Sequence, residues 1–361
     1  MVRKTNFLIT SLVLILLVSA CAPAATPTAV AHEHESHADL SGIKTYLLGK
    51  TSELKTDSAA LKTASDKYYE LAKAANFEYA SLWETNAAEV SQALIDAKAA
   101  WIKASPSYEQ MEGIVAGTPS LAEYDVILDA GASGADDPES TVPDVTLPDG
   151  RVLSKPGNLF GVLETTLWGT NQEYVIAGIE ADLDGNGTVD FGEALPDANV
   201  LKGTVDLFDQ YATELDSAAQ AWEPTESDAF TSLVVMVPTM NEYFESWKNS
   251  RFVAGETSTQ NEFVVISRLS DIQDILSSLQ IVYADVKPLI TSVNADQAEQ
   301  IESDLNGLKE FVADVYKQEQ EGKQFTAEEA DQLGAEAQNR ATAIAGQISQ
   351  VAATLGITIE E

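Results

Sequence analysis

Two places in this 361-residue chain carry residues whose type and spacing could do chemistry. The first is the run Asp182-Leu-Asp184-Gly-Asn186-Gly187-Thr188-Val189-Asp190-Phe-Gly-Glu193. Calcium takes six to eight hard oxygen ligands, and a twelve-residue EF-hand-like loop supplies them from positions 1, 3, 5, 9 and 12 and from the backbone carbonyl of position 7. Those positions are Asp182, Asp184, Asn186, Asp190, Glu193 and, for the carbonyl, Thr188. Gly187 stands where such a loop turns sharply, and Val189 is the apolar residue expected to pack the loop against its neighbour. Switching EF-hands work in pairs, and without a second loop in the sequence the role expected for calcium is structural. The second place is Cys21, the single cysteine, which follows Arg3-Lys4 and an apolar run from Phe7 to Ala20. A charged start, a short apolar stretch and Leu17-Val18-Ser19-Ala20 before the cysteine match a lipoprotein signal peptide, cleaved before a lipidated Cys21. The run is too short for a comfortable permanent span, and one cysteine allows no disulfide within the chain.

After a signal peptide over 1–20, residues 21–38 are small, polar and proline-containing, and they read as lipid anchor and flexible tether. All three histidines, His32, His34 and His37, fall in that tether, where a short His/Glu tract could capture a transition metal or be an incidental part of a solvated linker. With 57 acidic against 21 basic residues, a net charge of −36 argues against nucleic acid as a partner. It suits cation capture and also plain solubility.

The elements that must position these residues are helical. Leu40, Ile43, Leu47, Leu54, Leu61, Ala64, Tyr68 and Leu71 mark one face of a long first helix. Asn86-Ala-Ala-Glu89 resembles a capping box for a second, which Pro106 should end, with a short third helix from Ser107. Residues 130–157 are rich in Gly, Pro and Asp and read as a loop with a small hairpin at Pro148-Asp-Gly150. Further helix starts are predicted at Asn158, Asp197, Thr225, Asn294 and Thr326, stops at Gly322 and Gly356, and kinks or breaks at Pro238 and Pro288. The expected fold class is all-α, with two four-helix-type bundles. The N-terminal bundle should cover 39–199, including the loop insertion and the calcium loop, and the C-terminal bundle 200–361.

Residues 97–129 contain Ala97-Lys98, Trp101, Tyr108-Glu109-x-Met111-Glu112, Tyr124-Asp125 and Leu128-Asp129. With Phe160-Gly-Val-Leu-Glu164-Thr-Thr-Leu-Trp168, Arg268-Leu-Ser-Asp-Ile and Tyr283, the order and spacing resemble the imelysin-like family, which includes the EfeO and EfeM components of bacterial iron uptake. The resemblance implies two helical bundles with a site between them, built around a His-x-x-Glu pair on one helix. Glu164, Leu167 and Trp168 match that helix, but Gly161 stands where the histidine belongs. With no histidine after residue 37, the usual His/Glu zinc-peptidase site cannot be assembled.

Glu109 and Glu112 lie i, i+3, and with Asp125 and Glu164 they could form an all-oxygen cation site in the cleft between bundles, or sit on solvated helix faces. Oxygen ligands suit calcium, magnesium, manganese or ferric iron more than zinc. The leading expectation is a non-enzymatic, exported, lipid-anchored metal-binding protein related to iron uptake, with one structural calcium and envelope transport components as partners. It would sit in the cell membrane or outer membrane, facing the periplasm or the cell surface. The alternatives are an imelysin-type metallopeptidase and a surface protein-interaction scaffold whose metal site has decayed.

Overall fold

The computed structural model describes residues 37–137 and 140–360, so Cys21, His32, His34 and the signal peptide lie outside the described residues. Residues 37–361 group as one unit. The fold is all-α, as expected, with one small hairpin.

The first helix, α1 (Ser41–Ala74), buries Ile43, Leu47, Leu54, Leu61 and Tyr68, the predicted stripe. It packs along α2 (Tyr79–Val115) and α5 (Ala198–Ala221). The sequence expectation for α2 was wrong at Pro106: the helix runs through it to Val115, and no separate helix starts at Ser107. The ring removes one N–H, the donor to the carbonyl of Ile102, which lies on an exposed face of the helix. The interruption lies instead at Asn86 (φ −132°, ψ 23°), whose side chain donates to Glu89, so the predicted capping box marks a kink inside one helix. Pro288 is likewise carried within α9 (Arg268–Val293), whereas Pro238 does break the chain, into a 3-10 turn between α6 (Glu226–Met236) and α7 (Met240–Asn249).

After α2 come a short α3 (Ala122–Asp125) and a π-helical turn over Val126–Ala130. The predicted hairpin follows, with β1 (Val145–Thr146) antiparallel to β2 (Val152–Leu153) around Gly150 at φ +89°. Asn158 caps α4 (Leu159–Leu167) by accepting from the Gly161 N–H. Phe160 of α4 sits in an aromatic cluster with Trp101, Tyr108 and Phe208, at centroid separations of 4.8, 5.5 and 5.8 Å. This fixes α4 beneath the C-terminal half of α2 and against α5.

The second half contains α6, α7, a short α8 (Arg251–Ala254), α9, α10 (Ala295–Gln320) and α11 (Ala327–Leu355). Thr225 and Thr326 form capping boxes with Asp228 and Glu329, Asn294 accepts from the Gln297 N–H, and Gly356 closes α11 in the left-handed region. α5 starts where the second bundle was expected to begin, yet it packs on α1 and α4. Within the single unit, α1, α2, α4 and α5 thus pack as one helical group, and α6 to α11 pack as another. The two groups meet where α2 lies against α9. Gly113 makes that approach close: a Cβ there would come within 2.5 Å of the Ser278 hydroxyl. Among the described residues no helix is long and apolar enough to cross a membrane.

Candidate metal centre

At the α2–α9 contact three buried carboxylates converge. Glu109 and Glu112 project from one face of α2, and Asp129 comes from the π-helical turn. They are 1, 2 and 3% exposed, and one carboxylate oxygen from each lies within 4.8 Å of the others. The extra residue of a π turn rotates its side chains out of α register, and such turns are frequent at functional sites.

One cation faces this group. Arg268, in the first turn of α9, reaches Asp271 at 3.0 Å, Asp129 at 3.4 Å and Glu109 at 3.7 Å, the last too long for a hydrogen bond. Its guanidinium lies between the rings of Phe263 and Tyr243, 3.7 and 4.6 Å from their centroids. Tyr243 donates its hydroxyl to Glu112, and Tyr108 donates to Asp125 at 2.6 Å. Both oxygens of Glu109, one of Glu112 and one of Asp129 are buried without a hydrogen-bond partner.

Five buried carboxylates, Glu109, Glu112, Asp125, Asp129 and Asp271, around one guanidinium leave the cluster short of positive charge. Carrying uncompensated anions in a dry interior costs several kcal/mol each, so such a group takes up protons or a cation. Burial first, and the charge of Asp129 next, push Glu112 up to about 8. Burial raises Asp125 and Asp271 to about 7, again with Asp129 adding to it, and lifts Glu109 well above the carboxylate range. Arg268 stays firmly charged because the surrounding acids outweigh its desolvation. Hard oxygen donors with free lone pairs fit a hard cation; there is no imidazole in the group.

The structure thus brings together Glu109 and Glu112 of the four candidate cleft residues. Asp125 is buried nearby and engaged by Tyr108. Glu164 does not join them. Its carboxylate accepts the backbone N–H groups of Phe263, Val264 and Val265 at 2.9, 2.8 and 2.9 Å, holding the segment that leads into α9. Burial raises Glu164 to about 7, against the pull of those three donors. Glu164→Ala strands three N–H groups and is expected to cost about 3 kcal/mol or more in urea unfolding, with Glu164→Gln losing less. An equal, small loss for both would refute the clamp.

Asp129, Arg268, Asp271 and Tyr243 were not singled out as site residues. The signals were present: Asp125 and Asp129 are spaced i, i+4 around Val126-Ile-Leu128, and Arg268 and Asp271 i, i+3 on an otherwise apolar face. A charge inside an apolar stripe is the mark to look for.

The second acidic group lies in the loop at 182–193. Oxygens of Asp182, Asp184 and Glu193 come within 4.8 Å of one another. Asp182 accepts from Gly185 and Gly187 N–H at 2.7 and 2.8 Å, Asn186 from Thr188 N–H at 2.8 Å, and Glu193 from Leu183, Asp184 and Asp190 N–H at 2.8, 3.0 and 2.7 Å. Asp190 accepts from the Asn186 amide and the Thr188 hydroxyl. Gly187 has φ +92°, the turn its position required. Val189 does not pack as expected: it is 48% exposed. The usual flanking helices are also missing, because residues 170–197 are irregular and a bridge between Val175 and Pro196 closes the base of the loop. The loop is docked by Lys98 donating to the Gly192 carbonyl, by Trp168 against Gly192, and by Phe191 under Arg251, 3.3 Å from the ring centroid. Burial pushes Lys98 down to about 8.

No curated protein is significantly similar to this chain. The family model described as Imelysin, a metal-associated peptidase family, matches residues 44–351, from the first turn of α1 almost to the end of α11. That match spans both helical groups and the acidic site between them, and the chain belongs to the imelysin family.

Proposed function

We propose that this protein is an exported, lipid-anchored cation-binding protein that serves iron uptake, with a calcium ion held in the loop at 182–193. The observation that carries the reading is the set of buried, unpartnered oxygens on Glu109, Glu112 and Asp129. Those three residues would hold the cargo ion, Tyr243 would orient Glu112, and Arg268 would keep the remaining acids paired. An all-oxygen set favours ferric iron or manganese over zinc. It also speaks against a zinc peptidase, since the sequence has no histidine beyond residue 37. Cys21 would carry the lipid, and the tether after it would hold the helical unit away from the membrane, open to envelope transport components. Elemental analysis of protein isolated from its native envelope tests the cargo: iron or manganese beside calcium supports it, and calcium alone sinks it. Cys21→Ser is expected to move the protein from the membrane to the soluble fraction.

The raised carboxylates give cation binding a pH dependence of definite sign. Glu112 ionises at about 8 in the fold, against about 4.3 in an unfolded chain. Its contribution to stability without metal is therefore full below about pH 4 and lost as pH rises through 8. A cation competes with those protons. The rise in Tm produced by a fixed manganese concentration is expected to be greatest near pH 8 and to fade towards pH 5. A rise that is equal at both ends would exclude these acids as the ligands.

A further inference from the structure

Glu262 lies between α8 and α9, half-buried; no hydrogen bond or close ion pair to another described residue holds its carboxylate, which feels the charges of Asp129 and Arg268. It rests on the first turn of α4. A Cβ built at Gly161 would stand 2.6 Å from its carboxyl carbon and from Oε2, and 3.0 Å from Oε1. A side chain at 161 would push that carboxylate out of this place. The next three residues are fixed by the same helix, since Glu164, one turn on, takes the N–H groups of Phe263, Val264 and Val265. Phe263 is held at φ +53°, a left-handed conformation costly for a residue with a side chain, and its ring lies on Arg268. One face of α4 therefore grips the segment and aims residue 262.

What it is aimed at is a cavity of about 360 Å³, lined by Glu262 together with Asp129, Tyr243 and Arg268. Asp129 belongs to both the cavity wall and the buried group of Glu109 and Glu112, whose unpartnered oxygens lie behind it. An anionic side chain without a hydrogen bond, beside a clamp and a strained backbone and next to carboxylates that keep unbonded buried oxygens, is placed to meet a cation.

The geometry points to Glu262 as the outer ligand of the cation site, meeting a hard metal ion at the cavity entrance with Asp129, while Gly161 and Glu164 act as positioning residues. This rests on the cation-binding reading above. It adds a carboxylate from the segment before α9, so that a bound ion is gripped from both helical groups. A carboxylate on the first turn of α4 also suits the helix dipole, and that simpler role would appear in stability and not in affinity.

The test is manganese binding followed by electron paramagnetic resonance, using the full chain in a Glu193→Gln background so that the loop at 182–193 does not contribute. Glu262→Gln and Gly161→Ala are each expected to weaken binding about 10-fold, and the double variant no more than either single one, because both remove the same carboxylate. Glu112→Gln should abolish binding. If Glu112→Gln abolishes binding while Glu262→Gln matches the parent, Glu262 is no ligand and the cation reading survives. Losses that multiply in the double variant overturn the shared cause. A parent that fails to bind manganese overturns both readings.

Discussion

Glu112→Gln is expected to abolish the proposed cation binding at the α2–α9 contact and, without metal, to leave a protein more stable than the wild type at pH 8 by on the order of 3 kcal/mol. Both effects come from one buried charge. Glu112 is 2% exposed, and burial together with Asp129 resists its ionisation. In the variant the amide oxygen still accepts from Tyr243. The amide nitrogen replaces an oxygen that has no partner, and it supplies a donor towards Glu109, both of whose oxygens are unpartnered. Near pH 5 the wild-type carboxyl is protonated and the advantage should disappear. Urea unfolding of both proteins across pH 5 to 8, with and without manganese, measures the whole pattern. A variant less stable than the wild type at every pH would mean that Glu112 holds the fold together and is not strained for the sake of a ligand.

Calcium removal is expected to lower Tm by about 5 °C, as an ion bound at a hundred to a thousand times its Kd contributes about 3 to 4 kcal/mol. Glu193→Gln should abolish this response with little change to the metal-free protein. The reason is local. Glu193 Oε1 accepts from Leu183 and Asp184, bonds that an amide oxygen can keep, and only the bond from Asp190 N–H to Oε2 is lost. A bidentate calcium ligand, by contrast, needs both oxygens and the charge. Calorimetry with chelator and with added calcium separates the two terms. Equal calcium responses in wild type and variant would remove the loop from consideration as a calcium site.

Most of the helical order could be read from the sequence, because apolar stripes and caps are local signals. Ile43 to Tyr68 and the capping residues Asn158, Asp197, Thr225 and Thr326 all lie where periodicity placed them. Pro106 and Pro288 misled because packing along the whole length of α2 and α9 carries each helix through its proline, and that packing is a tertiary property. Glu109 and Glu112 were recoverable from their spacing. Glu164 was not, since its acceptor role depends on a segment about a hundred residues away. Asp129 escaped because a π turn cannot be distinguished from an α turn by composition. The loop at 182–193 was legible residue by residue, but the missing flanking helices and the outward Val189 were not.

In the proposed cation-binding role, the long helix α2 limits how cargo could enter. It packs along α1, and at Gly113 it lies against α9, so one helix, kinked at Asn86, is shared by both helical groups. Proteins that close two lobes over a ligand by hinge rotation bend at a few loop residues between the lobes. Here such a rotation would have to shear or unwind α2 at the turns that carry Glu109 and Glu112, destroying the site it was meant to open. In that proposed role, exchange of an ion is expected to run through small displacements of the 259–267 segment and not through a hinge rotation. Loading and release should then be governed by that short segment and leave the overall dimensions in solution unchanged.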